Sequence, residues 1–72
     1  MSKKRLEDQR RKNGEFLERK IREYGGYSKL ADDLKISRQS IYKWDQAPVG
    51  RCKDLEKLLG VSRVELRPEI FG

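Results

Sequence analysis

The sequence predicts an all-α domain of five short helices built around a helix-turn-helix. Three observations carry that expectation. Apolar residues recur at helical spacing through most of the chain, Gly and Pro punctuate the stretches that hold them, and no run alternates apolar and polar residues long enough to make a strand. A chain of 72 residues makes one domain, and an apolar fraction of 35% supports only a small core.

Residues 1–12 read as a basic arm, frayed or weakly helical, ahead of a helix-turn-helix domain over residues 13–72. Asn13 can cap a first helix running to about Tyr24. Phe16, Leu17, Ile21 and Tyr24 fall within one arc of it, and Glu15, Glu18, Arg19, Lys20, Arg22 and Glu23 lie mostly outside that arc. The same helix could instead start near Leu6 and run through Gly14, at a cost of about 1 kcal/mol for the glycine. Gly25 and Gly26 stop it.

Ser28 can cap a second helix whose Leu30, Ala31 and Leu34 share one side. A third helix follows Ser37, with Ile41 and Trp44 inward, and Ile36 sits between the two stripes where a buried side chain can pin the turn. Ala31 is small enough to let the helices cross closely. Helix-turn-helix units usually carry Gly at the turn residue that is Lys35 here, where φ is positive. A lysine in that conformation is strained by roughly 1 kcal/mol.

Ala47 and Pro48 break the chain before a fourth helix from about Val49 to Leu59, with Cys52, Leu55, Leu58 and Leu59 inward and Gly60 as its stop. Ser62 to Glu65 forms a capping-box pattern. It opens a short fifth helix with Val64 and Leu66, which Pro68 limits to a turn or two.

Projecting the third helix at about 100° per residue places Gln39, Tyr42, Lys43 and Gln46 opposite Ile41 and Trp44, with Arg38 beside them in the first turn. Arg can grip guanine O6 and N7, Gln can grip adenine N6 and N7, and Lys can take guanine or phosphate. Arg38, Gln39, Tyr42 and Lys43 are therefore the candidates for base edges. Ser28, Lys29, Ser40 and Arg51 are candidates for phosphates, and Gln46 for either role, placed here with the backbone contacts. The bland reading of this pattern is a helical hairpin with a solvated polar face.

Charge favours the first reading. The net charge is +6, and residues 1–13 hold six Lys or Arg against Glu7 and Asp8, so a net +4 sits on the arm. Such an arm suits phosphate neutralisation, its alternative being a soluble tail. Leu6 is its only large apolar residue after Met1, too little for a membrane surface. No apolar run approaches the roughly 18 residues of a membrane span, and Met-Ser-Lys-Lys-Arg lacks the apolar part of a signal peptide, so a soluble, cytoplasmic protein is expected.

Catalysis is not expected. The chain has no His, its lone Cys52 lies on an apolar stripe as a core residue, and its carboxylates are scattered on exposed faces. No cofactor, metal or small-molecule substrate is implied.

From Gly25 to Phe71 the chain resembles the Cro-type phage repressors, in the group that includes YdaS-like prophage antitoxin or regulator proteins. Gly25-Gly26-Tyr27-Ser28-Lys29-Leu30-Ala31 resembles the start of their first reader helix, and Ile36 to Trp44 their recognition helix. Glu65-Leu66-Arg67-Pro68-Glu69-Ile70-Phe71 resembles their closing segment, which unrelated helix-turn-helix domains do not share. Lys35 departs from the pattern, and Met1 to Lys12 falls outside it.

The resemblance implies a lambda-repressor-like domain and a repressor that binds a pseudo-palindromic operator in double-stranded DNA through the major groove. One helix reads only a few base pairs, so a homodimer on half-sites about 34 Å apart is expected. Val64, Ile70 and Phe71 are its candidate surface, unless they close the core. The competing readings are a module acting by contact with a protein partner, such as an antitoxin, and a nonspecific nucleic-acid binder.

Overall fold

The computed structural model describes residues 3–72, with side chains from residue 5 onward; Met1 and Ser2, the outer end of the basic arm, lie outside the described residues. Six α-helices follow in order: α1 Lys3–Tyr24, α2 Tyr27–Leu34, α3 Arg38–Tyr42, α4 Cys52–Leu59, α5 Arg63–Leu66 and α6 Pro68–Phe71, with a single 3₁₀ turn at Val49–Arg51 ahead of α4. Among the described residues there is no strand, and no helix is long and apolar enough to cross a membrane.

The first helix is longer than its composition suggests. Its 22 residues run unbroken through Asn13 and Gly14, so the basic segment from Lys3 is helical and Asn13 does not cap it. Ion pairs one turn apart support the outer half, with Arg11 reaching Asp8 at 3.3 Å and Glu15 at 4.0 Å. The inner half buries Leu17 and Ile21 as expected. It ends at Gly25 and Gly26, whose φ values of 130° and 100° are open to glycine alone, and the Gly26 N–H closes back on the Ile21 carbonyl at 2.9 Å.

Ser28 is not the cap of α2. Gly26 holds that position without a side-chain bond, and the helix already includes Tyr27, which leaves Ser28 in its first turn. The far end is a Schellman turn: the Ile36 N–H donates to the Ala31 carbonyl at 3.0 Å and the Lys35 N–H to the Asp32 carbonyl at 3.2 Å. Lys35 sits at φ 60°, ψ 42°, the left-handed conformation expected of the turn residue.

Ser37 caps α3 by accepting from the Ser40 N–H at 3.2 Å. The helix is short. It stops at Tyr42, with Lys43 as its C-cap, because Ala47 and Pro48 turn the chain away and the loop before them is held elsewhere. Trp44 therefore packs on the core from the loop, as do Leu34 and Ile36 from the turn side.

The capping box at Ser62 and Glu65 is present in both directions, each bond at 3.1 Å. Pro68 does not merely end α5. Lacking an N–H, it fits the first turn of a further helix, α6, so the described residues form six helices rather than five. The core joins Leu17, Ile21, Leu30, Ala31, Ile41, Ala47, Cys52, Leu55 and Leu66 from five helices and the loop after α3. Burial raises the Cys52 thiol above its ordinary pKa, as suits a core residue whose Sγ meets the Pro48 carbonyl at 3.4 Å.

Candidate nucleic-acid interface

Arg38, Gln39, Tyr42 and Lys43 are all exposed, and together they cover the outer face of α3 while Ile41 fills the core behind them. Two of the four are held from α2. Arg38 Nη1 donates to Ser28 Oγ at 3.2 Å. The Tyr42 ring lies on Tyr27, centroid to centroid 4.8 Å with the planes 30° apart. Tyr27 is the site residue that sequence reasoning missed; the sequence reading gave it no role, and its one signal is an aromatic directly ahead of Ser28.

The remaining predicted positions divide. Ser40 Oγ is 3.0 Å from Ser37 Oγ inside the cap of α3. Lys29, exposed, lays its ammonium 4.9 Å from the centre of the Tyr24 ring, and the Tyr24 hydroxyl donates to Asp33, which raises its pKa. Gln46 does not belong to α3 at all: it lies in the following loop, half-buried, and its Oε1 accepts from Asn13. Arg51, in the 3₁₀ turn, pairs with Asp54 at 3.9 Å and makes no bond to α2 or α3.

The loop after α3 is gripped at three consecutive residues. Gly14 presses so close to the Asp45 carbonyl that a Cβ there would overlap the oxygen. Asn13 Nδ2 donates to Gln46 Oε1 at 2.8 Å, and Arg67 Nη1 donates to the Ala47 carbonyl at 2.9 Å. Asn13, 3% exposed, is fully engaged, since its Oδ1 accepts from Gln9 at 2.8 Å and its Nδ2 also reaches Glu69 at 3.0 Å. Glu69 in turn accepts from Arg67 Nε at 2.8 Å. A buried amide with all these partners sets one position for the loop, and so for the exit of α3.

Beside the face lies a groove of about 380 Å³ between α1 and α3, walled by Tyr27, Tyr42 and Trp44 and carrying Glu15, Glu18 and Asp45 against the single cation Arg11. Those carboxylates have the wrong charge for phosphate. They mark one edge of the surface that Arg38 and Lys43 make positive.

Val64 and Ile70, two of the residues expected at a dimer surface, are about half exposed, at 45% and 47%. Phe71 packs on the core with the Arg63 guanidinium 5.7 Å from its ring centre, so it closes the core.

No curated protein and no solved structure matches the chain. Asn13 and Gly14, which grip the loop from α1, precede the span that a family comparison covers. From the inner half of α1 to the C-terminus, residues 17–72 match the family model described as the bacterial toxin YdaS, and the chain belongs to that family.

Proposed function

We propose that this protein is a sequence-specific, double-stranded DNA-binding transcriptional regulator, and that it acts as a Cro-like repressor of phage or prophage type. The observation that carries the reading is the α2–turn–α3 unit, whose outer face presents Arg38, Gln39, Tyr42 and Lys43 with Arg38 and Tyr42 already held. In this reading α3 lies in the major groove and α2 crosses the backbone. Arg38 grips guanine, Gln39 adenine, and Tyr42 and Lys43 complete the base contacts.

Phosphates are taken by the first turn of α2. Its N–H groups at Ser28 and Lys29 point out of the helix end, and the Lys29 ammonium adds charge. Ser40 and Arg51 are weaker candidates, the first bonded within its cap and the second to Asp54. Gln46 is a weaker candidate too, because its carboxamide oxygen accepts from Asn13 and only its N–H groups are left for a phosphate. The basic outer half of α1 adds sequence-independent affinity. Two copies on a pseudo-palindromic operator give the necessary specificity, and promoter occupancy excludes polymerase.

Selection of bound duplexes from a random pool at near-physiological salt tests the reading. A two-fold symmetric consensus is the expected result, and enrichment of no sequence would sink it. The family description favours one other reading, in which the protein acts as a toxin that impairs the cell. Growth inhibition on overexpression that survives Arg38→Ala and Gln39→Ala would support that reading instead.

A further inference from the structure

Consecutive residues at the start of α2 each support one exposed side chain of α3. Tyr27 carries Tyr42 at 4.8 Å between ring centres, and Ser28 Oγ accepts from Arg38 Nη1 at 3.2 Å. Arg38 and Tyr42 stand four residues apart, on the same side of the helix and one turn apart along it. Neither contact is needed to fill the core, because Ser28, Arg38 and Tyr42 are all exposed, Tyr42 at 61%. Tyr27 itself is anchored, half-buried and packed against the core cluster, so the platform under Tyr42 is fixed.

A long exposed side chain normally loses rotamer freedom when it docks, and one already held loses less. A tilted aromatic contact restricts the Tyr42 ring to one side. The Ser28 bond swings the Arg38 guanidinium back toward the start of α2, against the wide sweep it would otherwise have.

We propose that Tyr27 and Ser28 are specificity-determining positioning residues: their side chains touch no base, but they hold Tyr42 and Arg38 where those two meet base edges. The inference rests on the DNA-reading function above. It assigns the Ser28 hydroxyl to Arg38, leaving the Ser28 N–H for phosphate, and gives Tyr27 a role beyond packing. Two half-site positions then depend on α2 for their reading, although α2 lies outside the groove.

The test is duplex selection from a random pool with the full chain and five variants, with affinity for random DNA at several salt concentrations and a thermal melt for each. Tyr27→Leu keeps an apolar side chain at the site and removes the ring, Tyr27→Phe keeps the ring, and Ser28→Ala removes the acceptor at an exposed position. Tyr42→Ala and Arg38→Ala mark which base positions those two side chains read.

Tyr27→Leu is expected to lower base preference about 2- to 10-fold at the position that Tyr42→Ala affects, with Tyr27→Phe unchanged. Ser28→Ala does the same at the Arg38 position. Tyr27→Leu leaves random-DNA affinity and salt slope as in the parent, and Ser28→Ala, which keeps the phosphate-facing N–H, lowers base preference by a larger factor than it lowers random-DNA affinity. The proposal is overturned if Ser28→Ala and a folded Tyr27→Leu keep the parental consensus, or if they weaken all sequences alike. If Tyr27→Leu does not fold, the Ser28→Ala result decides. A parent chain that enriches nothing overturns the DNA-reading function and the proposal with it, whereas an enriched parent with unaffected variants overturns the proposal alone.

Discussion

Asn13 Nδ2 donates to Glu69 Oε1 at 3.0 Å, across 56 residues of sequence, and ties the middle of the first helix to the last. Burial alone would push the Glu69 carboxyl up, but bonds from Arg67, from its own backbone N–H and from Asn13, with the Arg67 charge, hold it below its ordinary range.

That depression links stability to pH. A carboxyl held lower in the folded chain than in the unfolded one contributes fully above the unfolded value of about 4.3 and loses its contribution as pH falls through the folded value. Thermal midpoints measured from pH 7 down to about pH 2.5 should therefore fall less steeply below about pH 4 in Glu69→Gln than in the parent. Equal acid slopes would break the link between this carboxylate and the fold. Glu56, lowered by bonds from the Arg63 backbone and side chain, adds a similar slope that the variant retains.

Gly14→Ala sets two effects against each other. Alanine favours a helix interior by about 1 kcal/mol over glycine. Its Cβ would overlap the Asp45 carbonyl, which is backbone and yields poorly, so a net loss of about 1 to 3 kcal/mol is expected in urea denaturation. A gain in stability would mean that α1 and the loop are farther apart than described.

Lys35→Gly should do the reverse. Lysine in the left-handed region is strained by about 1 to 2 kcal/mol, and glycine returns about half of that as unfolded-state entropy. The net expectation is a gain of about 0.5 to 1 kcal/mol by the same denaturation, and a loss would place the Schellman turn in another conformation.

Arg38→Ala and Gln39→Ala should each weaken the selected duplex by about 1 to 3 kcal/mol and leave random DNA nearly unchanged, measured by fluorescence anisotropy. Uniform weakening on every sequence would move both residues from bases to phosphates.

Replacing Lys3, Lys4 and Arg5 with Gln should lower affinity on every sequence and flatten the salt slope by up to about 2.7, if all three neutralise phosphates. A slope identical to the parent's would leave the basic end of α1 without a part in binding.

What could be read in advance was local. The Ser37 cap, the Ser62–Glu65 box, the paired glycines after Tyr24 and the left-handed Lys35 all rest on bonds spanning three to five residues, and each has a side-chain or conformational signature. The exposure of Arg38, Gln39, Tyr42 and Lys43 followed from helical projection alone. Gln46 falls off the projected face because projection assumes that the helix continues, and α3 ends at Tyr42.

The rest was distant in sequence. Asn13 meets Gln46 and Glu69 at separations of 33 and 56 residues, and Arg67 meets the Ala47 carbonyl at 20, so an asparagine that looked like a cap and a glutamine that looked like a DNA contact proved to share one network with Arg67 and Glu69. Gly14 looked like a weakness in α1 because propensity takes no account of the loop it lets approach. Tyr27 went without a role because both its packing on the core and its contact with Tyr42 are tertiary.

Asn13 and Gly14, adjacent in α1, meet adjacent loop residues, and the pair therefore indexes the helix both in rotation and along its axis. Every residue upstream inherits that azimuth at about 100° per step. One residue inserted between Lys3 and Lys12 would swing the outer cations a quarter-turn or more around the axis without moving a single atom of α3. The bearing of the basic end and the chemistry of the outer α3 face are thus separately adjustable, joined only at the keyed pair.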